Sequence, residues 1–261
     1  MNQGICLLSV ACMKAEPNYQ SELVNQMIFG DLYEVVRTSK EWTLVRLVHD
    51  DYQGWINMNQ VTWVPDENFL QLKTAPVAIA ADLIQVVEDI TLKTSYPIGA
   101  GSYLYNYGKG EFAIAGKTFR YFGKVVENFL THPQRLCDYA LMFLNSPYLW
   151  GGRSPFGIDC SGFMQLVLKM GGIFIPRDTN MQVNIGETIE LINEAIPGDL
   201  LFFGEHDKPI THVGMLLADG LIIHAFGKVR VDLVDHNGIF NREQKRYTHS
   251  LRTIKRLAPP K

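Results

Sequence analysis

The stretch "YLWGGRSPFGIDCSGFMQLVLKMGG", residues 148–172, decides how the rest of the chain is read. A glycine-rich turn leads into Cys160, one of only four cysteines, set between Asp159 and Ser161. Phe163, Leu166, Val167 and Met170 then keep the i, i+3, i+4, i+7 rhythm of a helix until Gly171-Gly172 stops it. A cysteine at a helix start has two readings. Free cysteine is among the most buried residue types and packs as a small hydrophobe. A helix N-terminus and a nearby imidazole, by contrast, both favour the nucleophilic thiolate.

The flanking sequence supplies the imidazoles. Downstream lie four strand-like runs: "DLLFF" (199–203), "THVGMLL" (211–217), "LIIHAF" (221–226) and "KVRVDLV" (228–234). In the second, Gly214 shares a face with His212 and leaves room beside its ring. His224 sits on the next run, after the short turn 218–220, so the two histidines can lie side by side. Upstream, "THPQRLCDYALMFLN" (131–145) reads as a helix, with Thr131 and Gln134 at capping-box spacing and Pro133 in the first turn. Leu136, Tyr139, Ala140, Phe143 and Leu144 follow its period. Helices first and strands later predict an α+β domain over residues 129–261.

The preceding residues read differently. Residues 1–62 carry short strands, Leu32–Val36, Trp42–Val48 and Gly54–Ile56, at the spacing of a small β-barrel. Residues 63–128 are aromatic and glycine-rich, and the turn at Gly108–Gly110 predicts a hairpin. A second, divergent barrel is expected there.

Composition is that of an ordinary globular chain: 261 residues, 47% hydrophobic, 20% charged, formal net charge −3. With no block of Lys and Arg, nucleic acid is not an expected partner. The locally basic end, "NREQKRYTHSLRTIKRLAPPK" (241–261), reads as the end of a strand and a surface tail. No apolar run approaches the roughly 18 residues a membrane helix needs. Near the N-terminus, no Lys or Arg precedes the apolar run ending at Cys12, and Leu8 stands one place too early for a lipobox. A first strand carrying Cys6 and Cys12 on one face, reduced thiols and a cytoplasmic location are the expectations. Neither cysteine spacing nor the set His206, His212 and His224 has a metal-ligand pattern, so no metal or other cofactor is expected.

Taken in order, "YLWGGRSPFGIDCSGF", "PRDTNMQ", "PGDLLFF", "THVGM" and "IIHAFG" resemble the NlpC/p60-type cysteine peptidases of bacterial cell-wall metabolism. The order Gly-Asp, Trp-x-x-Val, Asp-Tyr-x-Gly-Trp-Ile in residues 30–56 resembles the SH3-like domains that accompany cell-wall enzymes. The resemblance implies a papain-like α+β core after two SH3-like barrels. It further implies that Cys160 is the nucleophile, His212 the base and His224 the group that orients it, here without a carboxylate. Tyr148 is implied as the oxyanion donor.

Nearly the whole chain resembles the γ-D-glutamyl-L-diamino acid endopeptidases, a group also called dipeptidyl-peptidase VI. Those enzymes act on murein stem peptides with a free N-terminal L-Ala and release L-Ala-D-Glu from Lys or meso-diaminopimelate. The resemblance implies that the first barrel limits the cleft to two residues. It implies an amine pocket of Asp31, with Glu34 as the fallback, and Tyr52. Asp159 is a further acid beside the nucleophile, Ser161 a substrate contact, and Arg177 and Thr179 contacts for the D-glutamate carboxylate. Two rival readings remain: an exported endopeptidase or amidase acting on intact peptidoglycan, and a non-catalytic wall-binding protein.

Overall fold

The computed structural model describes residues 2–127, 129, 132–218 and 220–257. The chain forms two compact units: Met1–Asn128 with Trp150–Pro155, and Phe129–Leu149 with Phe156–Lys261. Thr131 of the expected capping box and Asp219 of the expected turn lie outside the described residues. Among the described residues no helix is long and apolar enough to cross a membrane.

The first unit opens with β1 (Gln3–Ile5), β2 (Val10–Lys14), β3 (Leu23–Ile28), β4 (Leu32–Ser39), β5 (Trp42–Leu47) and β6 (Gln53–Asn57). They pair antiparallel in the order β1-β4-β5-β6-β2-β3. Alternation in β5 turns Val45 and Leu47 inward and Arg46 outward. Both join Met13, Met27, Tyr33 and Ile56 in the core. Burial of such a side chain stabilises by about 1.5–3 kcal/mol. The single N-terminal strand expected from sequence is instead two strands, because the chain bends at residues 8–9. Parity does not carry across that bend: Cys6 is buried and Cys12 exposed.

After α1 (Asp66–Thr74) come β7 (Val77–Ala80), β8 (Ile84–Asp89), β9 (Thr94–Gly99), β10 (Tyr103–Tyr105), β11 (Glu111–Ile114), β12 (Lys117–Arg120) and β13 (Val125–Val126). They form two sheets, β10-β7-β13 and β11-β12-β8-β9. The expected turn at Gly108–Gly110 is a tight two-residue one, with Lys109 and Gly110 at positive φ and Gly108 and Glu111 exchanging backbone hydrogen bonds at 2.9 and 3.1 Å, but the pairing does not extend into a longer hairpin. β10 and β11 belong to different sheets, and the isolated bridge of Gly108 with Glu111 closes the turn between them. Phe29 packs its ring 5.7–6.0 Å from those of Tyr96, Phe112 and Phe119. Tyr105 Oη donates to the Gly30 carbonyl at 2.8 Å. These contacts make one unit of both sets of strands.

Trp150–Pro155, with β14 (Arg153–Ser154), completes that unit. Gly151 adopts φ +74°, and a Cβ there would meet the Leu23 carbonyl oxygen at 2.2 Å, so only glycine fits. Arg153 is fully buried. Its backbone N–H donates to Gln26 Oε1 at 2.8 Å and its Nε to the Gln26 carbonyl at 2.9 Å. Its Nη2 forms an ion pair with Asp31.

The second unit contains α2 (Pro133–Met142), β15 (Gly157–Ile158), α3 (Cys160–Met170) and α4 (Thr179–Gln182), followed by β16 (Glu187–Ile189), β17 (Leu200–Phe203), β18 (His212–Ala218), β19 (Leu221–Phe226), β20 (Lys228–Asp235), β21 (Gly238–Asn241) and β22 (Arg246–Arg256). His132 caps α2, its Nδ1 accepting from the Gln134 N–H. The strands run β16-β22-β17-β18-β19-β20-β21. The first half of β22 pairs with β21 and the second with β17, so the sheet closes on itself. The strand expected within residues 241–261 is thus the closing strand, Arg246–Arg256, and residues 258–261 of the expected tail lie outside the described residues. α3 packs on β18 and β19, and all of its residues are buried. The unit is α+β.

Candidate active site

Cys160 is the first residue of α3 and is 7% exposed. Asp159 caps the helix, its Oδ1 accepting from the Gly162 N–H at 2.7 Å. Arg177 closes on that carboxylate in a fork, Nη1 to Oδ1 at 3.0 Å and Nη2 to Oδ2 at 2.6 Å. Nη1 also donates to Ser161 Oγ at 2.8 Å. Gln182 Nε2 donates to the carbonyls of Ser161 and Pro176, tying the loop that carries Arg177 to the start of α3.

Burial pushes the Cys160 thiol up to about 11, and the Asp159 charge adds to this. The Val213 N–H and the Thr179 hydroxyl hydrogen-bond to the sulfur and pull the other way. The thiol thus meets the peptide that joins His212 to Val213. Helix start and imidazole suggested a resting thiolate; in the fold, burial outweighs them and the resting thiol is neutral. Tyr148 feels the charges of Cys160, Asp159 and Arg177, and burial raises its hydroxyl to about 12, leaving it a proton donor.

Sheet register assembles the imidazoles. His212 and Gly214 share a face of β18, and Gly214 lies opposite His224 on β19. A Cβ at Gly214 would come within 2.8 Å of Ile222 Cδ1 and 2.9 Å of His224 Cβ, so the room it leaves is filled by the neighbouring strand. His212 Nε2 lies 2.9 Å from His224 Nδ1. Burial holds His212 well below the usual histidine value, and lowers His224 as well.

Two residues of this cluster escaped the sequence reading. Asp232 lies behind His224, Oδ2 3.2 Å from His224 Nε2, and is fully buried. Burial would raise its carboxyl, but hydrogen bonds from His224 and Arg230 hold it at about 2. The expectation that His224 acts without a carboxylate is corrected by this contact. His249 of β22 stacks on His212, ring centroids 4.2 Å apart. The alternation of Arg230 and Asp232 with Val229, Val231 and Leu233 looks like a solvent face in sequence, and only the closed sheet turns it inward.

The second unit thus gathers Cys160, His212, His224, Tyr148, Asp159, Ser161, Arg177 and Thr179. Asp31 and Tyr52 belong to the first unit. There the Asp31 carboxylate is fully buried, accepts from the Ile28 N–H at 2.9 Å and pairs with Arg153. Asp31, expected to bind the substrate's ammonium, is thus paired with an arginine, as Asp159 is. Glu34 is held by Arg46 at 2.6 Å. Tyr52 Oη reaches the Val24 carbonyl at 3.4 Å. Arg177, expected to receive a substrate carboxylate, forks onto Asp159. Among the described residues no group of three or more His, Cys, Asp or Glu is arranged to hold a metal ion.

Residues 145–252 match the NlpC/P60 family, and residues 14–61 match the bacterial dipeptidyl-peptidase SH3 domain. A gamma-D-glutamyl-L-lysine dipeptidyl-peptidase of Bacillus cereus is 32% identical over 232 residues, 78% of this chain and 68% of that protein. Dipeptidyl-peptidase 6 of Lysinibacillus sphaericus is 26% identical over 243 residues, 85% of this chain and 87% of that protein. A solved NlpC/P60 family protein from Bacillus cereus shares the fold, with TM-score 0.84 at 20% identity over 99% of this chain and all of that one. With a thiol at a helix start, buried imidazoles on the neighbouring sheet and these relatives, the chain belongs to the NlpC/P60 family of cysteine peptidases.

Proposed function

We propose that the protein cleaves the γ-D-glutamyl–L-diamino acid bond of murein stem peptides that carry a free N-terminal L-Ala. The relatives named for dipeptidyl release support this reading, and the observation that carries it is the placement of Asp159. This acid stands next to the nucleophile, is held by Arg177 and acts on Tyr148 through space. In this reading its carboxylate receives the ammonium of L-Ala, and Ser161 and Thr179 contact the D-glutamyl unit.

The reaction starts from neutral partners. As Sγ of Cys160 attacks the scissile carbonyl, its proton passes to Nδ1 of His212. Tyr148 Oη donates to the oxyanion. The tetrahedral intermediate collapses to a thioester as the imidazolium gives the proton to the departing amine of the diamino acid. Water, deprotonated by the same imidazole, hydrolyses the thioester and restores the thiol. His224 holds His212 throughout.

The test is mass spectrometry of products from L-Ala-γ-D-Glu-L-Lys, its diaminopimelate analogue and the N-acetylated forms of both. Free peptides are expected to release L-Ala-D-Glu, acetylated ones to remain intact, and Cys160→Ala to abolish turnover while the protein stays folded. Equal rates on free and acetylated peptides would refute the ammonium contact. Release of peptides from intact sacculi without turnover of the tripeptides would favour the wall-acting endopeptidase.

A further inference from the structure

The catalytic base has a chemical requirement that geometry alone does not state: one particular ring nitrogen of His212 must lack a proton. Nε2 faces His224 at 2.9 Å, so the basic nitrogen has to be Nδ1. Neutral imidazole carries its proton on either nitrogen, and what the other nitrogen touches makes the choice. For His212 the neighbour is itself an imidazole, with the same ambiguity. The choice is therefore passed back to whatever holds His224.

That group is Asp232, which sits opposite Ile222 on β20, one strand beyond His224. Every contact on it is a donor. Oδ1 receives Arg230 Nη2 and the Arg242 N–H, each at 3.2 Å. Oδ2 receives Arg230 Nε at 2.6 Å and faces His224 Nε2 at 3.2 Å. Arg230 is in turn held by Glu243 at 3.0 Å. A carboxylate kept ionised among these donors can only accept, so His224 must carry its proton on Nε2. His224 Nδ1 is then a lone pair, which requires Nε2–H on His212, and His212 Nδ1 is left bare.

We propose that Asp232 is the positioning residue of this active site: through a chain of two hydrogen bonds it fixes the tautomer of His224 and then of His212, so that the nitrogen available to Cys160 is a base. The proposal rests on Cys160 and His212 acting as nucleophile and base, and it concerns neither the substrate nor the ammonium contact.

The donor pattern makes the isosteric variant decisive. In Asp232→Asn the Oδ1 position faces two donors that cannot reverse, Arg230 Nη2 and the Arg242 N–H. The Oδ2 position faces one such donor and one imidazole that can reverse. The amide nitrogen therefore settles toward His224, whose Nε2 must become the acceptor. His224 then donates from Nδ1, His212 accepts at Nε2, and the proton of His212 moves to Nδ1, where the base should be. A wrong tautomer of this kind costs a serine-protease triad about 10⁴-fold in kcat with its geometry intact.

The experiment is ¹⁵N NMR of histidine-labelled protein, read beside kcat and KM. The wild type is expected to show protonated Nε2 and unprotonated Nδ1 at both His212 and His224. Asp232→Asn is expected to show the reverse at both and to lose roughly 10²–10⁴-fold in kcat with KM within a few-fold. Asp232→Glu, which restores an acceptor-only group, is expected to recover the wild-type tautomers and part of kcat. The wild-type spectrum needs neither a variant nor a substrate, so it decides even if Asp232→Asn fails to fold or the peptide assignment is wrong. A protonated Nδ1 on His212 in the wild type would overturn the proposal, as would a folded Asp232→Asn protein with unchanged tautomers and kcat within about threefold of wild type.

Discussion

Cys160 and His212 each rest neutral for the same reason: charge is expensive where water is excluded. Burial drives the thiol up to about 11 and the imidazole well below its usual range. The sign of the consequence for activity follows. In the proposed mechanism the base is unprotonated His212, so catalysis is lost on the acid side where His212 takes up a proton, and the fold places that below the reference value of about 6.5. The acid limb of kcat/KM is therefore expected below pH 6.5, with activity retained in mildly acidic buffer. A kcat/KM profile measured from pH 4 to 9 checks this, and a limb at or above 6.5 would contradict it. At this scale the sequence was informative about identity. Residue type and motif order singled out Cys160, His212, His224 and Tyr148 as candidates, because the chemistry proposed for them is written in their side chains. It was uninformative about protonation, which depends on neighbours brought in from other strands.

At the scale of elements, hydrophobic period located α3 and the strands β17 to β20 within a residue or two, since each is bounded by local punctuation such as Gly171-Gly172. Register was what the period could not supply. β18 and β19 pair so that Gly214 faces His224, and the missing Cβ is what lets the two strands bring their imidazoles to 2.9 Å. Gly214→Ala is expected to destabilise the second unit by about 1–3 kcal/mol through overpacking, and to lower kcat because His224 is pushed off His212. Urea unfolding together with steady-state kinetics measures both effects, and a variant with unchanged midpoint and kcat would show that the strands absorb the methyl group. The folded-state values of His212, His224 and His249 are all depressed, chiefly by burial. As pH falls below about 6.5 the unfolded chain binds protons that the fold refuses, until at about 4 His249 also titrates in the fold. This cluster therefore contributes stability that is present above pH 6.5 and is lost on acidification toward 4.

At the scale of the whole molecule, the first unit is not contiguous in sequence. Residues 150–155 belong to it, and Arg153 brings a charge to Asp31 from 122 positions away. Removing one partner of a buried ion pair leaves the other uncompensated, whereas replacing both by apolar groups can be nearly neutral. Arg153→Met is thus expected to destabilise the first unit by about 3–5 kcal/mol, and Asp31→Leu in the same protein to recover most of that loss. Denaturant titration of the single and double variants tests it; additive losses would show that the pair is not coupled. The sequence by itself determined most of the elements, the α+β class of the peptidase unit, the SH3-like β character of the residues before it and the candidates for nucleophile and base, because period, caps and motif chemistry act over a few residues. Only the tertiary structure decided which charges meet: Arg177 with Asp159, Arg153 with Asp31, and Asp232 behind His224. Such pairings depend on sheet register and on the exclusion of water, and neither is a property of any local stretch of chain.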